Sequence, residues 1–346
     1  MKKRYWLGIA ISLLLVYLLF RSVELAKVVK DLQEANLVYL LPALGIYFLG
    51  VLVRTARWSI LMKRVGRVPS RRLFVVLVIG FMANDILPLR AGEVVRAFML
   101  WWKERLEPGA TLGTIVVERI FDGLALICLL LIAGLAVSLD DQLRLLAWAA
   151  GAVFVAGILA VFALTLVPKP LLNLAEKVLS PFPERLSSLA LRLLHGFVGG
   201  LGILRSARET VAVMVLSVGA WVLEAGMYFI LMFSFSFTPR FSAAFLGTAV
   251  ANLAAMVPSS PGYVGTFDWG LSKALEVTYR VDPSEALAYT GLVHAALIVP
   301  VVLLGLLFLW REGLSLKRLT GRDAYASVRG DAGVMGQMAR SVNEER

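Results

Sequence analysis

Runs of about twenty nearly uninterrupted apolar residues recur along this chain, and they limit its fold more than any other feature. An α-helix rises ~1.5 Å per residue, so ~20 apolar residues cross the ~30 Å hydrocarbon core of a bilayer. Six runs meet or approach that length: residues 5–20, 37–62, 110–138, 143–167, 210–237 and 287–310. The totals agree with them. Apolar residues make up 59% of the 346, charged residues only 17%, and mean hydropathy is +0.79, too little charge to cover a soluble surface. The chain reads as an all-α integral membrane protein with several spans.

Two further apolar stretches, 73–100 and 241–271, are interrupted in the middle by Pro, Gly, Asn and charged residues. Each is long enough for two half-helices but too broken for one clean span. Lys and Arg concentrate in 1–4, 63–72, 103–105, 169–208 and the tail from Arg311, which places those segments and both termini in the cytoplasm. The first broken stretch then has both ends inside and the second has both ends outside. We expect re-entrant hairpins entering from opposite faces, within halves 37–138 and 210–310 that share an order and oppose each other in orientation, an inverted repeat. The local sequences match in outline. Asn84 precedes Pro88 and Gly92; Asn252 precedes Pro258, Pro261, Gly262 and Gly265, and in both stretches a Gly stands four residues after a Pro.

Lys2-Lys3-Arg4 precedes the first run and no small-residue cleavage pattern follows it, so the run reads as a retained signal anchor. Residues 168–209 are broken by prolines and carry helical stripes of Leu and Val, as amphipathic helices on the cytoplasmic surface or a cap packed on the bundle would. Residues 1–312 make the membrane domain; 313–346 are polar and Gly-containing and read as a disordered cytoplasmic tail.

The net charge of +11 lies beside apolar spans, which points to topology and anionic lipid headgroups rather than nucleic acid. One cysteine, Cys128, and two histidines, His195 and His294, supply neither a disulfide framework nor a metal cluster. No Walker sequence is present, and no cofactor or metal is expected.

Charges inside spans cost ~2.5–3.5 kcal/mol each on insertion scales, so they mark cavities or partners. Asn84, Arg90, Glu93 and Arg96 surround the break at Pro88. A helix starting near Ala91, with Gly92 permitting unusual backbone and two guanidinium forks close by, suits a phosphate; a Glu93 pair with Arg90 or Arg96 would instead merely hold the hairpin. Glu118 and Asp122 share a helix face, and Arg119 can pair with Asp122 three residues on. They serve either as structural ion pairs or as a proton or cation relay. Arg57 near the inner end of its span reads as snorkelling to headgroups, whereas Arg54 is deeper. Glu224, alone in its span, is a coupling carboxylate or the partner of another span; Asp268 closes the second broken stretch.

Taken in order, Asn84-x-x-Leu87-Pro88-x-Arg90-x-Gly92-Glu93-x-x-Arg96, then Glu118-Arg119-x-x-Asp122, then Pro258-x-x-Pro261-Gly262-x-x-Gly265-x-x-Asp268 resemble the lysylphosphatidylglycerol synthase transmembrane family. These are the flippase-like membrane domains of the multiple peptide resistance factor, and the resemblance runs over about residues 5–312. It departs from the family at Tyr263, where a second glycine is usual, and at Asp268, where Glu is usual. The resemblance implies movement of an anionic phospholipid, aminoacyl-phospholipid or polyprenyl-phosphate lipid between leaflets of the cytoplasmic membrane. Arg90, Arg96, Arg119, Asn84 and Arg54 would bind it, and Glu93, Glu118, Asp122, Glu224 and Asp268 would balance charge or carry coupling protons. Pro88, Gly92, Pro258, Pro261, Gly262 and Gly265 would supply irregular backbone. The soluble aminoacyl-transferase of two-domain relatives is not expected here, so the chain is read as a non-enzyme. The rival readings are a membrane-embedded transferase on a lipid phosphate and a non-catalytic partner of a separate lipid-synthesis enzyme. A homo-oligomer is compatible with all three.

Overall fold

The computed structural model describes residues 13–21, 23–87, 91–137, 168–179, 184–257 and 259–313, with scattered positions between 145 and 159. The first half of the run expected at 5–20, most of that at 143–167 and the whole tail beyond 313 lie outside the described residues. Every regular element among the described residues is helical. We number them α1 (Leu25–Glu34), α2 (Leu40–Met62), α3 (Ser70–Ile86), α4 (Gly92–Glu104), α5 (Pro108–Ala136), α6 (Pro168–Leu179), α7 (Glu184–Gly200), α8 (Ala207–Met232), α9 (Phe241–Ala254), α10 (Thr266–Lys273) and α11 (Pro283–Arg311).

Among the described residues, three helices are long and apolar enough to cross a bilayer: Leu37–Met62, Ala207–Met232 and Pro283–Arg311. These correspond to the runs 37–62, 210–237 and 287–310. α5 has 29 residues, length enough for a span, but carries Glu118, Arg119 and Asp122. Its charges need partners before it can sit in hydrocarbon, and Arg57, Arg96 and Trp221 supply them for Glu118 and Asp122.

Helix ends follow local chemistry. α5 and α11 both begin with proline at the first turn, where its missing N–H costs nothing. Asp282 caps α11 by accepting from the Ser284 and Glu285 N–H groups. α3 stops at Ile86, and Leu87 is extended (φ −96°, ψ 146°), as the residue before a proline prefers. The second break contains a 3-10 turn at Pro261–Tyr263, with positive φ at Gly262 (69°), Tyr263 (59°) and Gly265 (92°). Glycine is required there for its backbone. Gly92 corrects our expectation of unusual backbone: it is the first residue of α4, and its role is space. A Cβ on it would lie 2.0 Å from the Gly80 carbonyl oxygen and 2.5 Å from Asn84 Oδ1.

The packing has a regular plan. α2 lies along α8. α3 packs on α4, and α9 on α10. α3 also lies on α11, and α9 correspondingly on α5. Ion pairs and hydrogen bonds locate the ends. Arg64–Glu209, Arg72–Glu104 and Lys103–Glu312 gather the end of α2, the start of α8, the outer ends of α3 and α4, and the end of α11. At the other end, Asn36 donates its N–H to the Ser234 carbonyl, Lys27 pairs with Asp282, and Arg240 stands over the Tyr279 ring. There lie the start of α2, the end of α8, the N-terminus of α11, and the outer ends of α9 and the segment following α10. The outer ends of α3 and α4 thus lie with the end of α11, and the outer ends of α9 and the segment following α10 with its start. None of the four helices of the two broken stretches, with 17, 13, 14 and 8 residues, reaches ~30 Å alone.

α7 sits against the start of α5 through glycines on both helices. A Cβ on Gly113 would lie 2.4 Å from the Phe197 carbonyl oxygen, and one on Gly200 would lie 2.2 Å from that of Ala110. This is backbone-to-backbone contact of the small-residue kind found between membrane helices.

The polarity is that of a lipid-facing bundle. Leu135 is 90% exposed and Leu41 79%, whereas Arg57 is wholly buried. Water would reverse that arrangement.

Candidate functional site

Four arginines and three acids meet inside the bundle. On α2, Arg54 and Arg57 are three residues apart and share a face. On α8, Ser217, Trp221 and Glu224 fall at helical spacing on the face toward them. Arg54 Nη2 donates to Glu224 Oε2 at 2.7 Å, so the deepest charges of the two paired helices neutralise each other. Arg57 donates to Asp122 Oδ1 at 2.5 Å and to Ser217 Oγ at 2.9 Å, and its second terminal nitrogen lies 3.5 Å from Glu118. Our reading of Arg57 as a snorkelling residue is thus wrong: bonds to α5 and α8 hold it inward.

Arg96 of α4 donates with both terminal nitrogens to both oxygens of Glu118, at 3.0 and 2.9 Å, and its guanidinium lies 3.9 Å from the Trp58 ring centroid. Its partner is Glu118 on α5 rather than Glu93. Arg119 donates to Glu118 at 2.5 Å and lies 3.4 Å from Asp122, and its side chain is still 37% exposed. Trp221 Nε1 donates to Asp122 at 2.9 Å. Three guanidinium groups (Arg57, Arg96, Arg119) are thus bonded to two carboxylates (Glu118, Asp122), and the Arg54–Glu224 pair stands beside them across Trp221, whose ring centroid lies 4.8 Å from the Arg54 guanidinium. One positive charge exceeds the paired negatives, and Arg119 is the member that remains open. Away from water such charges interact strongly, and each needs its partner.

The network forms one wall of a cavity of about 180 Å³. Polar side chains reach it from both halves: Arg54 from α2, Asp85 from α3, Arg119 and Asp122 from α5, Glu224 from α8, Asn252 from α9 and His294 from α11. Aromatic rings of Tyr47, Phe81, Trp221, Tyr263 and Phe267 complete it. Asn252 donates to Glu224 at 3.2 Å. His294 bonds to Asp268 at 2.6 Å and to the Gly262 carbonyl at 2.8 Å. No group of His, Cys, Asp and Glu suited to a metal occurs among the described residues.

A model of the lysylphosphatidylglycerol synthase TM region matches residues 5–305, nearly the whole chain. The chain belongs to this family. The proteins it resembles include the UPF0104 membrane protein MJ1595 of Methanocaldococcus jannaschii, 25% identical over 87% of this chain and 94% of that one. Another is the glycosyltransferase AglD of Haloferax volcanii, 24% identical over 83% of this chain but only 51% of that protein. A UPF0104 membrane protein of Methanothermobacter thermautotrophicus is 26% identical over 75% of this chain and 81% of its own length. No solved structure matches.

Within this family member, the residues singled out from sequence fall into three groups. Arg54, Arg119, Asp122 and Glu224 line the cavity. Arg96 and Glu118 stand behind it as a buried pair, and Asn84 holds the first break by accepting from the Gly92 N–H at 2.8 Å and reaching Glu93 at 3.4 Å. Asp268 works at the second break, accepting from the Gly265 N–H at 2.8 Å. Pro88, Arg90 and Pro258 lie outside the described residues. Sequence reasoning missed Arg57, Asp85 and His294 as parts of the site. His294 had a usable signal, as an ionisable residue in an otherwise apolar span.

Proposed function

We propose that the chain moves a lipid bearing an anionic, phosphate-containing headgroup between the leaflets of the cytoplasmic membrane, with the headgroup passing through the central cavity. The observation that carries this reading is the cavity itself, a largely apolar chamber into which Arg54, Asp85, Asp122, Glu224, Asn252 and His294 reach and which presents the open guanidinium of Arg119. Guanidinium forks suit phosphate oxygens. Its ~180 Å³ falls below the ~300–1,000 Å³ that encloses a whole drug-sized ligand, so it takes a headgroup while acyl or prenyl tails stay in the bilayer. In this reading the broken pairs are re-entrant hairpins of an inverted repeat, the architecture that puts binding sites at the midplane of many transporters. Both termini face the cytoplasm, on the side of the basic segments.

Similarity over about half of AglD, a protein named a glycosyltransferase, favours a second reading: a lipid-handling partner of an enzyme that modifies the same lipid. Leaflet exchange in liposomes separates the two. Purified protein is reconstituted with fluorescent phosphatidylglycerol, an aminoacylated form, a polyprenyl phosphate or phosphatidylcholine. Transport predicts fast exchange of at least one anionic lipid and slow exchange of phosphatidylcholine. No exchange of any lipid, with or without a proton gradient, leaves the partner reading.

A further inference from the structure

The second break is closed by one side chain from the last long helix. His294 of α11 places Nδ1 2.6 Å from Asp268 Oδ1 and Nε2 2.8 Å from the Gly262 carbonyl oxygen. Asp268 uses its other oxygen to accept from the Gly265 N–H at 2.8 Å. The links from Gly262 through His294 and Asp268 to Gly265 therefore bracket the turn that those two glycines make with φ of 69° and 92°.

Hydrogen-bond chemistry fixes the protons. A carbonyl oxygen only accepts, so Nε2 carries one. A bare ring nitrogen 2.6 Å from a bare carboxylate oxygen would oppose two lone pairs, so a second proton lies between Nδ1 and Oδ1. Written as imidazolium with carboxylate or as imidazole with carboxylic acid, the pair is neutral with that proton and singly negative without it. Losing it turns one closing hydrogen bond into a repulsion, and the ring can then satisfy only one of its two neighbours.

We propose that His294 and Asp268 form a proton-binding site that latches the second broken segment to α11, and that loss of the shared proton to water in the cavity releases the segment. His294 lines the cavity, and its ring packs on Phe267 with centroids 4.5 Å apart. The groups facing the same space are Asp85 from α3, Tyr263 from the segment itself, Tyr47 and Arg54 from α2, Arg119 and Asp122 from α5 and Glu224 from α8. Arg54 pairs with Glu224 and Arg119 with Asp122, whereas Asp85 has no arginine or lysine partner among the described residues. Asp85 is thus the group whose charge bears on the latch. Lys27 of α1 meets α11 only at Asp282, twelve residues or ~18 Å along the helix from His294. The latch stands on this geometry alone; that it gates a headgroup rests on the transport reading above.

The test reads the latch without reading lipid movement, so its failure is separate from failure of transport. The chain has two histidines, and H195Q leaves His294 as the sole imidazole. Met256 lines the cavity just before the break, so M256C with Cys128→Ala reports access to the segment. In nanodiscs, the ¹⁵N signals of the His294 ring and the reactivity of the M256C thiol are followed against pH. We expect both to change through one transition, with thiol reactivity, taken relative to an exposed control cysteine so that the thiol's own ionisation cancels, varying by up to about tenfold per pH unit across it. D268N abolishes the shared transition; H294Q, which keeps a donor for Gly262, gives a second test if D268N does not fold. A His294 titration with flat thiol reactivity overturns the latch. So does a thiol transition unchanged in D268N or H294Q.

Discussion

Arg96 and Glu118 share two parallel hydrogen bonds, 3.0 and 2.9 Å long, between α4 and α5, and both side chains are almost wholly buried. Glu118 also receives Arg119 at 2.5 Å and lies 3.5 Å from Arg57. One carboxylate therefore ties the first broken pair to the following helix and to α2.

Removing the Glu118 charge should cost the fold more than removing the Arg96 pair together. E118Q leaves three guanidinium groups facing an amide, and breaking a buried pair costs about 3–5 kcal/mol. The double variant R96M/E118Q removes one of the stranded cations and should recover part of that loss. Thermal unfolding in one detergent compares them, and an E118Q protein melting with wild type would remove the network from the account of stability.

Gly92 tests close packing against backbone freedom. Its φ is helical, so alanine carries no conformational penalty, yet the added Cβ would meet backbone at 2.0 Å. G92A should sharply reduce folded yield, whereas G45A, with nothing within 4 Å, should be neutral or slightly stabilising. Size-exclusion profiles after solubilisation give the comparison; a normal G92A profile would mean that α3 and α4 sit further apart.

At the opposite end, the hydrogen bond from Lys27 holds the Asp282 carboxyl below the usual carboxylate range. The sign follows from a depressed folded value: this contribution is present above the ordinary carboxylate pKa and fades as pH falls through the lower folded one. Asp282 also caps α11, so D282A should cost about 0.5–2 kcal/mol near neutral pH. The gap between D282A and wild type should narrow in acid, and a gap independent of pH down to strong acid would contradict the assignment.

The long helices were legible because apolar length is a one-dimensional property: 37–62, 210–237 and 287–310 emerge as spans, and the breaks at Pro88 and Pro261 announce themselves through residues that cannot continue a helix. Partner choice was not legible. Arg57 meets Asp122, 65 residues away, and Arg54 meets Glu224, 170 away; helical spacing tells which face a charge occupies but not what stands opposite. Arg57 was misplaced because its position near a helix end fits snorkelling equally well. Gly92 was assigned the wrong service because a close approach leaves no mark on the chain's own pattern.

Leaflet exchange of wild type against Arg119→Ala tests the central claim most directly. Arg119 is the open cation of the network, 37% exposed, and Glu118 and Asp122 each keep a second arginine without it. The fold should survive. The account predicts rapid wild-type exchange of an anionic, phosphate-bearing lipid and at least about tenfold slower exchange in a folded Arg119→Ala protein, the loss of roughly one charge-assisted contact. Equal rates in the two proteins, or exchange indifferent to headgroup charge, would contradict it.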